Sequence, residues 1–293
     1  MQHQEWDRQS PDRVKLYTQL WSPDGEARAV VTLVHGFGEH SSRYAHVAAA
    51  LTQAGYALLT GDHRGHGRSQ GLRGHTPTYD HLMDDIAGLV AEADRRFPGR
   101  PRFIYGHSMG GNLTLNYVLR RHPQLAGAVV TAPWLRLAFE PPKWKVAIAR
   151  MMDRVVPTLL QDTGEDYAAL SRDARVGQIY AADPLTHSKI SARMFNGLYS
   201  AGLWALAHAA EFPLPLLLMH GGADQLTSAP ASREFAARLP GCDFTIWDGL
   251  YHEIHNEPEQ DQVIATIVGW LDQHLAAAPA PATVSALVGA PVG

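Results

Sequence analysis

Gly106-His107-Ser108-Met109-Gly110 is a G-x-S-x-G pentapeptide. A serine hydroxyl is a weak nucleophile until a neighbouring base takes its proton, so the pattern carries chemistry only in the right surroundings. The apolar run Phe103-Ile104-Tyr105 precedes it, and a helix-like stretch beginning Asn112-Leu113-Thr114 follows. That is the strand, tight turn and helix in which a nucleophilic serine is held exposed on a strained backbone. Gly106 and Gly110 leave space where side chains would clash, and the turn puts Ser108 at a helix N-terminus, which favours negative charge. Attack on a carbonyl also needs two N–H donors for the developing oxyanion. Met109, the residue after the serine, is expected to supply one. The other is expected from Phe37 in His35-Gly36-Phe37-Gly38, the loop closing an early buried run.

A serine nucleophile needs a base, and the base an acid to orient it. In a strand–turn–helix hydrolase the chain order is Ser, acid, His. Asp224 follows the apolar run 214–219 through His220-Gly221-Gly222-Ala223 and is the expected acid; Asp248 and Asp183 are its rivals. The chain has 16 histidines. The base must lie beyond the acid, which leaves His252, His255 and His274. His252 sits on the loop after the strand-like run 244–247 and the turn Asp248-Gly249, and is the expected base. Other histidines, including His35, His63, His66 and His220, are assigned to loop hydrogen bonding. Ser108, His252 and Asp224 would form and hydrolyse an acyl-enzyme without metal or cofactor. No H-E-x-x-H zinc spacing occurs; His252 and His255 are only three apart.

The elements that must position these residues alternate. Residues 29–34, 56–60, 102–105, 126–131, 214–220 and 243–247 read as buried strands. Residues 79–97, 113–121, 229–239 and 260–275 read as helices, and Ser41 and Ser42 are placed to cap a further one running to about 54. Residues 14–21 alternate and read as an edge strand. Such alternation predicts a mostly parallel sheet with helices on both faces. Residues 134–207 contain no convincing strand. Their stretch 143–160 carries Trp144, Ile148, Met151, Met152, Val155 and Leu159 on one helical stripe, with Val156 and Leu160 widening it. We read 1–133 and 208–275 as the core, 134–207 as an inserted helical cap, and 276–293, uncharged and rich in Ala and Pro, as a flexible tail.

Composition narrows the class. The chain has 293 residues, enough to bury a large core without disulfide or metal. A net charge of −4 and the absence of a basic block argue against nucleic acid. The single cysteine, Cys242, rules out an internal disulfide framework. The polar stretch Met1–Ser10 has no apolar core and predicts no secretory signal, and no apolar stretch is long enough to span a bilayer. The expectation is a cytoplasmic protein, peripheral at membranes if the cap stripe meets lipid.

With these residues in place, the sequence resembles the monoacylglycerol lipase and lysophospholipase group of α/β-hydrolases. The resemblance rests on His35-Gly36-Phe37-Gly38-Glu39-His40-Ser41-Ser42-Arg43-Tyr44, Asp62-His63-Arg64-Gly65-His66-Gly67-Arg68-Ser69, Gly106-His107-Ser108-Met109-Gly110-Gly111, Ile179-Tyr180-Ala181-Ala182-Asp183-Pro184-Leu185 and Tyr251-His252-Glu253-Ile254-His255. It implies a lid over an acyl tunnel with a polar end for glycerol, in which Arg43, Tyr180 and His255 are the expected substrate-binding residues. Phe37 departs from the pattern, since relatives often carry a small residue there, and its bulk would narrow the acyl entrance. The cap outside 179–185 matches weakly, so acyl-chain preference does not carry over.

The expected activity is hydrolysis of carboxylic esters, foremost monoacylglycerols to fatty acid and glycerol. Alternatives within the class are a carboxylesterase for short soluble esters and a lysophospholipase. An aminopeptidase would need an acidic cluster for a free amine, and none is placed for it. A non-catalytic receptor on the same fold is the alternative from another class. The cap stripe fits acyl chains or a lipid surface; packing on the core is the plainer reading.

Overall fold

The computed structural model describes residues 1–164 and 166–277; the expected tail falls outside these from residue 278 on. Eight strands form one sheet: β1 (Gln2–Gln9), β2 (Lys15–Ser22), β3 (Ala29–Val34), β4 (Tyr56–Gly61), β5 (Arg102–His107), β6 (Gly127–Thr131), β9 (Leu216–Gly221) and β10 (Asp243–Trp247). Two more, β7 (Leu160–Asp162) and β8 (Lys189–Ser191), pair only with each other. The large sheet runs β1-β2-β4-β3-β5-β6-β9-β10. β1 and β2 are antiparallel to their neighbours, and every pairing from β4 to β10 is parallel.

The parallel strands are apolar because both faces are covered. Alternate residues feed two cores. Val31, Leu33, Phe103, Tyr105, Val129 and Met219 pack under helices α1 (Ala45–Gln53) and α8 (Gln260–Ala277). Val34, Ile104, Val130 and Leu218 face the opposite layer, made by α2 (Tyr79–Arg96), α3 (Met109–Arg121) and α7 (Ala229–Arg238). Ser41 and Ser42 do not cap α1. Residues Ser41–Tyr44 form a 3-10 turn, and the Ser41 hydroxyl and N–H both donate to the buried Asp62 carboxylate, at 2.5 and 2.8 Å. Residues 14–21 are not an edge strand: β1, polar except for Trp6, pairs outside β2 and takes the edge. Its composition gives no apolar alternation from which a strand could be read.

Between β6 and β9 the chain leaves the sheet. It forms α4 (Lys143–Val155), β7, a 3-10 turn at Tyr167–Ala169, α5 (Ala174–Ala182), β8 and α6 (Ala192–Ala207). The short β7–β8 ladder departs from the strand-free expectation for 134–207; three residues per strand are too few to leave a periodic signal. α6 rests on α3, and α4 rests on α6 rather than on the sheet. Asn196 donates to the Ala149 carbonyl at 2.9 Å and Arg193 pairs with Asp153, fixing the two helices together. The apolar stripe does not pack on the core. Trp144, Ile148, Met151 and Val155 face solvent, and Val146, on the other side of α4, is buried.

Because β3, β5, β9 and β10 are parallel, the loops that follow them emerge at one edge of the sheet. The tightest spot there is the start of α3. A Cβ on Gly110 would lie 1.9 Å from the Val34 carbonyl oxygen and 2.6 Å from that of His35. Gly110→Ala is therefore expected to lower the unfolding free energy by about 3 kcal/mol, measured by urea denaturation; unchanged stability would mean that the α3–β3 contact is not rigid.

Candidate active site

Ser108 occupies the turn between β5 and α3 with φ 54° and ψ −116°, a left-handed conformation foreign to most side chains. Hydrogen bonds hold it there. The Ser108 N–H donates to the Thr131 carbonyl, and the Ser108 carbonyl accepts from the N–H groups of Asn112 and Trp134, each at 3.0 Å. The loop after β10 brings His252 beside it, with Nε2 2.9 Å from Ser108 Oγ. His252 Nδ1 lies 2.7 Å from Asp224 Oδ2, on the loop after β9. The three residues come from three loops over one sheet edge, and each is buried or nearly so.

Asp224 is saturated with donors. Its Oδ1 accepts from the N–H groups of Leu226 and Thr227 at 2.7 and 3.0 Å, and its Oδ2 also receives the Thr227 hydroxyl at 2.8 Å. Burial opposes its ionisation, yet the charge of His252 and the hydrogen bonds from His220 and His252 hold it well below the usual carboxylate range. Sequence reasoning gave His220 only a loop role. It is fully buried and its Nε2 lies 3.0 Å from Asp224 Oδ2. The readable signal was its place at the end of β9, four residues before the acid. His107 lines the other side of His252, their rings 4.9 Å apart. Burial pushes its pKa down to about 3, so it is neutral. The rivals Asp248, Asp183 and His274 lie elsewhere: Asp183 pairs with His40, and His274 bonds a carbonyl of its own helix.

The loop after β3 passes close to the serine. A Cβ on Gly36 would lie 3.3 Å from Ser108 Cβ. The Gly36 N–H donates to Glu39 Oε1 at 2.5 Å, which curls the loop and brings Phe37 to the cavity at Ser108. Phe37 lies edge-on between the rings of His66 and His187. Met109, the other expected donor, is the first residue of α3, whose N–H has no acceptor within the helix.

Of the three expected polar-end residues, Tyr180 lines the cavity and Arg43 and His255 do not. Tyr180 is buried and lines the cavity, and its hydroxyl lies where a Cβ on Gly38 would be, 2.5 Å away. Arg43 stacks over the Tyr180 ring at 4.8 Å, and both of its terminal nitrogens donate to carboxylates. It grips Glu253 with two bonds of 2.6 and 2.7 Å and Glu39 with a third of 2.7 Å. Arg43 thereby ties the β3 loop to the base-bearing loop rather than facing the cavity. His255 does not line the cavity either. It is fully buried, stacked on Tyr44 at 4.8 Å and edge-on to His107 at 4.7 Å. Apolar packing is what places it there, and its three-residue spacing from His252 turns it inward on the 3-10 turn Ile254–Asn256.

The cavity at Ser108 holds about 40 Å³ and is lined by Phe37, Trp134, Leu137, Tyr180, Leu226 and His252 among others. Trp134, Leu137 and Leu226 also line a second cavity of about 450 Å³, which runs beneath α4 between Val146, Ala149, Ile190 and Phe195. A small chamber thus adjoins a larger one, apolar along Trp134, Leu137, Val146, Ile190 and Phe195 and polar where Lys145, Gln161, Asp162 and Asp166 line it. Among the described residues no cluster of His, Cys, Asp or Glu is arranged to hold a metal ion.

Comparison with known proteins agrees with this arrangement. The family described as serine aminopeptidase S33 (Hydrolase_4) matches residues 25–259, most of the chain. The chain belongs to this family. Among curated relatives, the monoacylglycerol lipase of Mycolicibacterium smegmatis is 35% identical over 265 residues, 89% of this chain and 94% of its own. An uncharacterised abhydrolase domain-containing protein of Dictyostelium discoideum is 33% identical over 90% of this chain, which spans only 28% of that protein's length. The crystal structure of the monoacylglycerol lipase of Paleococcus ferrophilus superposes with a TM-score of 0.81 at 34% identity, covering 88% of this chain and 99% of that one. The fold is that of the α/β-hydrolases.

The Arg43 cluster sets a pH signature for this Hydrolase_4 chain. Burial works against ionisation of Glu253, but the Arg43 guanidinium brings its pKa down to about 2. A carboxyl depressed in the folded state stabilises above its unfolded value, about 4.3, and loses that contribution as pH falls through the folded value. Glu253→Gln is expected to cost about 3 kcal/mol of unfolding free energy at pH 7. The gap to the wild type should close between about pH 4 and pH 2, followed by denaturant titration at each pH.

Proposed function

We propose that the chain hydrolyses monoacylglycerols to free fatty acid and glycerol through an acyl-enzyme on Ser108. The observation that carries this is the relay from Asp224 through His252 to Ser108 at the floor of a chamber that adjoins a 450 Å³ cavity with an apolar wall of Trp134, Leu137, Val146, Ile190 and Phe195. A chamber so small suits the ester and the glycerol end, and the larger cavity suits an acyl chain, each buried methylene of which contributes about 0.8 kcal/mol to binding.

Ser108 Oγ attacks the ester carbonyl as its proton passes to His252 Nε2. Asp224 holds the imidazole with Nδ1–H towards itself and stabilises the imidazolium. The N–H groups of Met109 and Phe37 receive the oxyanion; Gly36, packed against Ser108, supports that placement. The tetrahedral adduct collapses, the glycerol oxygen leaves with the proton from His252, and water repeats the sequence on the acyl-enzyme. Tyr180 is the residue of this chain placed to meet the glycerol end, and Phe37 narrows the way in. The similarity to two monoacylglycerol lipases supports this substrate over short soluble esters. On hydrolysis of a monoacylglycerol chain-length series, medium and long chains are expected to turn over, and Ser108→Ala to lower kcat at least about 10⁴-fold. Turnover confined to acetate and butyrate esters would make the chain a carboxylesterase; a fully active Ser108→Ala would remove the nucleophile from the reading.

The residues 134–207 act as a cap in this reading, and α4 is the face that meets lipid. Its exposed Trp144, Ile148, Met151 and Val155 are flanked by Lys143, Lys145, Arg150 and Arg154, the composition of a helix that lies in a membrane surface. Among the described residues no helix is long and apolar enough to cross a membrane, so contact would be peripheral. Replacing Trp144, Ile148 and Met151 together by Ser is expected to weaken co-sedimentation with anionic phospholipid vesicles at least tenfold and to leave turnover of a soluble short-chain ester unchanged. Undiminished sedimentation would discard this face.

A further inference from the structure

We propose that His220 is a positioning residue for the acid, resting on the reading of Ser108, His252 and Asp224 as a triad. Asp224 lies between two imidazoles, and both bond the same oxygen: His252 Nδ1 at 2.7 Å and His220 Nε2 at 3.0 Å from Oδ2. A carboxylate only accepts hydrogen bonds, so His220 carries its hydrogen on Nε2. The other nitrogen, Nδ1, is 2.8 Å from Ser232 Oγ, which then donates to it. Asp224 thus selects the tautomer of His220 as it does that of His252, and Ser232, itself fully buried on α7, anchors the far side of the His220 ring. His220 has a partner on each ring nitrogen.

The arrangement does two things. It blocks rotation of the Asp224 carboxyl, which would swap Oδ2 for Oδ1 against His252. It also draws electron density from Oδ2, so that Asp224 binds the His252 proton less tightly than an unassisted carboxylate would. The other groups facing the base are Ser108 and His107, with Glu253 and His255 on its own loop. Those facing His220 are Asp224, Thr227 and Ser232.

The test is kcat, KM and the pH profile of kcat/KM for His220→Leu, His220→Gln and Ser232→Ala on a soluble ester. His220→Leu keeps the volume and loses the donor. It should lower kcat by about ten- to a hundredfold with little change in KM. The acid limb of kcat/KM should move to higher pH, because Asp224 is then more basic and stabilises the imidazolium more. His220→Gln restores an N–H at that position and should return the limb to its wild-type place with kcat within about threefold. Ser232→Ala removes the anchor on Nδ1, loosens the His220 ring against Asp224 and should move the limb the same way by less, which keeps the test open if His220→Leu does not fold. A limb that stays at its wild-type pH in His220→Leu and Ser232→Ala, or activity lost in His220→Leu and not restored by Gln, would overturn the proposal and leave His220 a packing residue. Asp224→Asn separates this from the underlying reading. If it abolishes turnover while His220→Leu behaves as wild type, only the role of His220 falls. If it retains turnover, the triad falls and the role of His220 with it.

Discussion

The structure depends on one turn. Ser108 sits in a left-handed conformation that costs on the order of 1–3 kcal/mol for a residue with a side chain, and three backbone hydrogen bonds from β6, α3 and the segment after β6 keep it there. The turn is possible only because α3 starts against the end of β3, with Gly110 touching two of its carbonyls. The small residues at the crossing and the close approach of the Gly36 loop to Ser108 go with that contact. A hydroxyl presented this way is fixed before any substrate arrives, so catalysis does not wait on its ordering.

Around the turn, charge is used where apolar contact could not specify position. Arg43 with Glu39 and Glu253 joins the loops after β3 and β10, beside the stacking of Tyr44 on His255. Glu257 does the same between the base-bearing loop and the segment after β6. It accepts from the Tyr251 N–H at 2.6 Å and from the Arg172 N–H and Nε at 3.1 Å, and Glu253 N–H donates to the Leu170 carbonyl at 2.8 Å. Part of the inserted segment is thus built into the frame that holds His252. On the other side, His187 N–H donates to the Gly38 carbonyl and His40 bonds Asp183. Buried ion pairs of this sort are costly to break, though seldom large net stabilisers; their contribution here is geometric.

Much of this was legible in the residues. The buried strands read as apolar runs because both faces are covered, and their ends fixed where loops with chemistry had to emerge. Ser108, Asp224 and His252 were found by motif context and chain order, and the structure brings them within hydrogen-bond reach of one another. What was not legible depends on contacts distant in sequence. Arg43 and Glu253 are 210 residues apart, and nothing local to either tells that they pair. His255 carries the same side chain as His252 three residues away, yet stacking on Tyr44 turns it inward. The stripe on α4 was visible, but its periodicity is the same whether it meets a core or water. Only the position of α6 beneath it decides.

The strand that gave no signal has its own consequence. β2 is buried over Leu16–Trp21, and without β1 its row of N–H and carbonyl groups and its apolar side chains would end the sheet. β1 covers that edge with Gln2, Gln4, Glu5, Asp7 and Arg8, and charged, polar edges resist pairing with a second sheet. Trp6 is secured from inside by the Arg96 guanidinium at 3.7 Å over its ring. Trimming the first ten residues to obtain a tidier protein would thus leave the catalytic loops in place and turn a well-behaved enzyme into one prone to self-association.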